Sequence, residues 1–356
     1  MTTHDATDGR HTAEPRSRAE LLDRAGDAFI DALGAIDAKD EPGLYGVVLA
    51  DFARCRRSAG RLEEAAESLS EAADHLRDDP GTRDALVSAL YDLSGVLQAL
   101  GRTDGAVAVQ LEVLETVRSY PKVSQRRLAE ELVTTGDLLM EAGRPLDALE
   151  LLYEGHELLS AEGVGARQEQ SAVLVRCARA HRAAGQDEEA LAALRKALAV
   201  VDPVEDAATC GLLLDEIAAV HRSAGRLQEA VEAGREAEGY LSEANGHLLA
   251  GALHHLGRTC ELMGDAGAAG GYDDALAYYR RALALLRSEG DLGYCGVVLH
   301  DIGDVHQSQD RLEEAESAYE EAVELKKQDP QPRRDLVTTH RALGYVRQEL
   351  AERREP

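Results

Sequence analysis

The stretch "GRLEEA" at residues 60–65 returns as "GRLQEA" at 225–230 and as "DRLEEA" at 310–315. Aligning the chain on it brings out a series of glycines, each following a helical stretch: Gly60, Gly101, Gly143, Gly185, Gly225 and Gly264, with Asp310 in the seventh place. The spacings are 41, 42, 42, 40, 39 and 46, and the last falls to 40 once an insertion "AGAAGG" at 266–271 is set aside. A period of about 40 residues sustained along a chain marks an array of stacked units, each burying its apolar face only against its neighbours.

Inside a unit the pattern is helical. A stretch such as "LYGVVLADFARCRRSA" before Gly60 has apolar residues three and four apart, the spacing of one helix face. Glycine suits the left-handed position that ends a helix, and a second helix starts within a few residues. Five residues after the glycine stands an alanine: Ala65, Ala106, Ala148, Ala190, Ala230 and Ala315, with Ala275 in the sixth unit after the insertion. Small residues there let two helices approach closely. Pro42, Pro80, Pro121, Pro203 and Pro330 fall between units, where a helix must begin afresh.

The second helices carry Ala275/Tyr279/Ala282, Ala315/Tyr319/Ala322 and, ahead of the first unit, Ala25/Phe29/Ala32. The first helices carry Phe52/Ala53, Cys177/Ala178, Ile217/Ala218, Leu256/Gly257, Ile302/Gly303 and Leu343/Gly344. In these residues the chain resembles the tetratricopeptide repeat family. It departs from the family in lacking the first-helix Trp and in exceeding the common 34-residue period. The longer period is similar to that of kinesin light chain and of bacterial peptide-sensing and signalling regulators. The resemblance implies an all-α fold, a right-handed α-α superhelix. It would hold about seven helix pairs, near 44–79, 83–119, 124–161, 165–201, 206–243, 246–288 and 291–327. A leading helix (17–38) and a closing helix (332–353) would complete a single solenoid over 17–353, after a disordered lead-in at 1–16. An unrelated α-α solenoid is the competing reading of the pattern.

Composition narrows the function. There are 66 acidic and 39 basic residues, a formal charge of −27. Nucleic acid and anionic membrane surfaces would repel such a chain. No apolar run approaches the length of a membrane span, and the polar start has no signal-peptide core. Five scattered cysteines, with no paired spacing, fit a reducing compartment and neither a disulfide framework nor a zinc site. The expected location is cytoplasmic.

In the architecture the resemblance implies, first helices line a concave face. Counting back from each glycine puts Arg54, Arg57, Tyr91, Arg176, Arg179, Arg182, Arg222, His254, His255, Arg258, His300 and Asp304 on that wall. Arginine forks pair with carboxylates in a planar, bidentate way. The wall is therefore a candidate for docking a protein partner through an acidic or carboxylate segment. The alternative is internal pairing, for instance of Arg179 with Asp215 or Glu216. Family members that clamp extended peptides commonly use groove asparagines, and here the sole Asn is Asn245. A helix or folded surface suits the wall better than a bare strand.

"HDIGDVH" at 300–306 sets His300 and Asp304 one helical turn apart, beside Asp301, and invites a metal or general-base reading. His306, however, holds the register of His181 and His221 and reads as a packing residue. "GDAGAAGG" at 264–271 lacks the Lys-Ser/Thr of a phosphate loop and reads as an inserted turn. No cofactor, metal site or catalytic constellation is expected. The function expected is a non-catalytic interaction scaffold or regulator. A peptide- or small-ligand-sensing regulator and a subunit of a larger signalling complex are the alternatives. The polar closing helix favours a monomer; the more apolar leading helix leaves pairing open.

Overall fold

The computed structural model describes residues 17–77, 79–242, 245–328 and 334–354, and the lead-in at 1–16 lies outside them. Its described residues form sixteen α-helices and no strand. They divide into two units, Met1–Leu158 and Leu159–Pro356.

In the first unit α1 (Arg18–Gly34) lies against α2 (Pro42–Ser58), which pairs with α3 (Leu62–Arg77). The pairs α4 (Arg83–Ala99) with α5 (Thr103–Arg118), and α6 (Gln125–Glu141) with α7 (Pro145–Ala161), follow. The second unit holds α8 (Arg167–Ala183) with α9 (Asp187–Val200), and α10 (Ala207–Ser223) with α11 (Leu227–Tyr240). It continues with α12 (Gly246–Asp265) and α13 (Gly271–Glu289), then α14 (Leu292–Ser308) and α15 (Leu312–Gln328). The closing helix α16 (Arg334–Arg354) packs on α14 and α15. First helices also touch first helices, α2 with α4, α10 with α12 and α12 with α14. This makes the first-helix face a continuous surface along those stretches.

The hairpins close through a repeated cap. Gly60, Gly101, Gly143, Gly185 and Gly225 have φ between 70° and 78°. In the first, the Gly60 N–H donates to Arg57 O at 3.0 Å and the Arg61 N–H to Arg56 O at 2.9 Å. Only a residue without a Cβ takes that left-handed turn freely. Asp310 is the sole positive-φ non-glycine among the described residues, at 62°. Arg353 of α16 binds its carboxylate, which holds Asp in place of Gly.

The sixth unit departs from the glycine count. Gly264 does not end its helix: α12 runs on through it to Asp265, and the left-handed turns fall at Gly267 and Gly270, φ 83° and 81°. The Gly267 N–H donates to Gly264 O at 2.8 Å and the Ala268 N–H to Met263 O at 2.9 Å. So the cap sits three residues later than in the other units, and only the rest of "AGAAGG" lengthens the turn. Gly264 is needed for closeness instead. A Cβ there would meet the Tyr272 ring at 2.7 Å.

Packing inside a hairpin depends on two small residues. The alanines five after each turn, from Ala65 to Ala315, are all fully buried. Seven residues before the turn register stand Ala53, Ser94, Gly136, Ala178, Ala218, Gly257 and Gly303. Glycine stands there opposite a large side chain. A Cβ on Gly257 would overlap the Tyr279 ring, on Gly303 it would meet Tyr319 Cε1 at 2.5 Å, and on Gly136 Leu152 Cγ at 2.9 Å. Tyr279 and Tyr319 are themselves fully buried. Gly257→Ala and Gly303→Ala are each expected to cost about 1–3 kcal/mol by overpacking. Denaturant midpoints should show it, with smaller losses when the facing tyrosine is also changed to Leu.

Candidate functional site

The first-helix face of each unit is polar, and most of its charges are already spent on neighbours. In the first unit Arg54 donates to Asp92 Oδ2 at 2.5 Å, to Asp51 Oδ1 at 2.6 Å and to Ser88 Oγ at 2.8 Å. Arg57 donates to the other oxygen of Asp92 at 2.6 Å. One carboxylate on α4 thus holds two arginines from α2. The Tyr91 hydroxyl donates to Glu131, a buried carboxylate on α6. Burial and this neighbouring charge push the Tyr91 phenol well above its usual range.

In the second unit α8 presents Arg176, Arg179 and Arg182. Arg179 reaches Glu216 Oε1 at 2.8 Å and Arg182 reaches Glu216 Oε2 at 3.5 Å, both across to α10. Arg176 donates to Ala172 O in its own helix at 3.2 Å. Arg222 turns toward α12, where it donates to His255 O at 3.3 Å and Thr259 Oγ1 at 3.5 Å. Burial, with Arg258 and Arg182 nearby, lowers its pKa.

Around α12 the histidines form a line of hydrogen bonds. His255 Nδ1 lies 2.8 Å from Asp215 Oδ2 on α10. His254, 5% exposed, lies between the Tyr294 hydroxyl at 3.0 Å from Nδ1 and Asp301 Oδ2 at 2.6 Å from Nε2. Both ring nitrogens of His254 are thus engaged, one by a phenol and the other by a carboxylate. His300 Nε2 is 3.6 Å from Asp304 Oδ2. The sequence-predicted residues of the sixth and seventh pairs are therefore brought together, whereas Arg54, Arg57 and Tyr91 belong to the other unit.

Ligand atoms of His300, Asp301 and Asp304 lie within 4.8 Å of one another, close enough to hold a cation. Asp301, however, already accepts from His254, and Asp304 accepts from the Tyr319 hydroxyl at 2.5 Å. Each of these bonds engages one oxygen of its carboxylate. His181, His221 and His306, grouped above as packing residues, are all buried. Burial lowers the pKa of His221 and His306.

A cleft of about 510 Å³ opens between α8 and α10, lined by Ala172, Val175, Leu212 and Leu213 together with Arg179 and Glu216. Leu212 is 43% exposed. The polar residues on this wall were read from the register, but the apolar ones were missed. The signal was in the same count, since Val175 and Leu212 stand ten and thirteen residues before Gly185 and Gly225.

The fold and its packing register define the class, an all-α repeat protein built of helical hairpins. Residues 266–328 and 173–208 match models of the tetratricopeptide repeat. With the paired hairpins, these matches over two stretches of the chain support a tetratricopeptide repeat protein. No curated protein matches it. Among solved structures it is similar to a Signal Transduction ATPase with Numerous Domains protein with a tetratricopeptide repeat sensor, from Pyrococcus horikoshii. That match has 14% identity and a TM-score of 0.55, and covers 94% of this chain and 50% of that one. BtubC (BKLC) from P. vanneervenii matches at 20% identity over 64% of this chain and 92% of that one, with a TM-score of 0.48. The apo form of RapI matches at 10% identity over 75% and 99%, with a TM-score of 0.49. No described helix is long and apolar enough to cross a membrane.

The buried histidines give a pH prediction. His221 and His306 have folded pKa values below the unfolded value of about 6.5. Their neutral form stabilises the fold above that value, and the contribution is lost as pH falls below it. His306→Leu is expected to flatten the acid side of the melting-temperature profile between about pH 6.5 and 5, as followed by circular dichroism.

Proposed function

We propose that the chain is a non-catalytic interaction scaffold that binds a protein partner on the first-helix face of its second unit. The carrying observation is the cleft between α8 and α10, where Leu212 stands half-exposed beside Ala172, Val175 and Leu213, with Arg179, Asp215 and Glu216 in the same lining. A partner helix would seat an apolar side chain between Val175 and Leu212, worth about 1.5–3 kcal/mol if fully buried. An acidic group of the partner would take Arg179, whose side chain is 60% exposed, by exchange with Glu216. The five cysteines are unpaired, and burial raises the pKa of Cys177, Cys210, Cys260 and Cys295. Inert thiols of this kind support a reducing, cytoplasmic setting.

A second reading, a sensor of a peptide or small ligand, is favoured by the cleft volume, which falls in the range of small-molecule sites. Affinity capture from extract, with the bound species identified by mass spectrometry, separates the two. For the scaffold, one protein should be retained by the parent chain. Leu212→Glu should weaken the purified complex at least tenfold, with Arg179→Glu close behind. Retention unchanged in both variants would place the interface elsewhere, and a captured small molecule would favour the sensor.

A further inference from the structure

The leading and closing helices carry the two halves of a hairpin. In α1, Ala25, Phe29 and Ala32 stand in the register of Ala315, Tyr319 and Ala322 of α15, a second helix. In α16, Val337 and Gly344 stand in the register of Gly296 and Gly303 of α14, a first helix. Those two glycines pack under Lys326 and Tyr319 of α15. Among the described residues, no first helix precedes α1 and no second helix follows α16.

Both helices are open on the side that the missing half would cover. Seven residues of α15 are buried, whereas α1 buries none in the same register. Ala318 and Ala322 share a buried cluster with Val298, Leu299 and Ile302 of α14. Their counterparts are exposed at Ala28 and half-buried at Ala32, and Leu21, two turns before Ala28, is 53% exposed. Tyr319 packs against Gly303 of α14 and shares a cluster with Leu343 of α16. Phe29 has the counterpart of the second contact, Phe52 of α2 at 6.1 Å between ring centroids, but not of the first. On α16 a Cβ at Gly344 would meet nothing within 4 Å, and Val337 and Tyr345 are 63% and 59% exposed.

We propose that a second copy of this chain is the occupant: α1 of one copy docks on α16 of another as its second helix, with Phe29 over Gly344, and adds a hairpin in trans. The charges agree in register. Arg77 bonds Glu112, Arg118 bonds Glu154 and Arg287 bonds Glu321, each from one second helix to the next. In every link the base stands twelve residues after its hairpin alanine, and the acid six after the following one. Lys327 stands twelve after Ala315 and reaches Glu324 in its own helix, while Asp31 stands six after Ala25. The ladder thus ends on a base at α15 and on an acid at α1, and docking joins them. Overall α1 has four acids against two arginines, and α16 five arginines against three acids. The apolar parts agree as well. Tyr345 holds the place of Asp304, which takes the Tyr319 hydroxyl. Phe29 has no hydroxyl to donate, so a ring meets a ring where that bond would be. The contact is heterologous, each copy keeps one open end, and association continues past the dimer. It is independent of the partner reading, which concerns α8 and α10.

Sedimentation of the full chain at physiological ionic strength tests this. The weight-average mass of the parent should rise past that of a dimer between about 1 and 100 μM. Ala28→Glu blocks the α1 end and Gly344→Glu the α16 end. Both sites are open in the single chain, so circular dichroism should be unchanged. Each variant alone should stay monomeric, and an equal mixture should give a one-to-one dimer that grows no further, because one copy keeps its α16 and the other its α1. Asp31→Lys should weaken association about threefold, and adding Lys327→Asp to the same chain should restore it. A parent that stays monomeric, whether residues 1–16 or another protein covers α1, would overturn the proposal. So would association retained in either blocked variant, as an α1–α1 or α16–α16 dimer requires, a mixture that stays monomeric, or a charge swap that restores nothing.

Discussion

The structure depends on how closely the two helices of a hairpin can approach. Seven alanines of the second helices, one per pair, are excluded from solvent. Their helices meet first helices that carry Ala, Ser or Gly in the facing register. A chain with two Phe and no Trp has few large side chains with which to fill a wide gap. Its core must instead come from short distances between helices, where dispersion is gained by contact rather than by bulk. The tyrosines are the exception that shows the rule. Where the second helix offers Tyr279 or Tyr319, the first helix has given up even its methyl group.

Stacking leaves a signature in the electrostatics. Arg54 bonds a residue 38 positions away, Arg179 one 37 away, and Tyr91 and His255 residues 40 away. Arg102 reaches Glu63 at a separation of 39. Each is about one repeat. Partners at that distance in sequence are brought together only when successive hairpins pack side by side, so these bonds cross from one pair to the next. Exposed ones contribute little each. The buried His254–Asp301 contact is different, because removing either partner would strand the other away from water.

Period, turn positions and helix pairing were legible in the sequence because they are set by local chemistry repeated many times. Gly60, Gly101, Gly143, Gly185 and Gly225 could be read as turns from spacing alone. Gly264 could not, since a glycine needed for close packing against Tyr272 and a glycine needed for positive φ look the same in a string of letters. The first-helix face was legible as a list of residues but not as a set of bonds. Register says that Arg179 and Glu216 share a wall. It does not say that Glu216 also holds Arg182, or that Asp92 holds two arginines. Nor did it show that the aromatic signature of the second helix sends a hydroxyl across to Glu261 and Asp304.

That internal pairing changes what recognition on such a wall can mean. An arginine that already holds a carboxylate gains from a partner's carboxylate only the difference between two similar bonds, at the cost of releasing Glu216 to water. Charges there select among partners and set orientation more than they drive association. The favourable term must come from apolar surface that is still open, and on this face of the second unit such surface lies in the cleft beside Leu212. Charge on this face of the second unit would therefore act by exchange of one carboxylate for another.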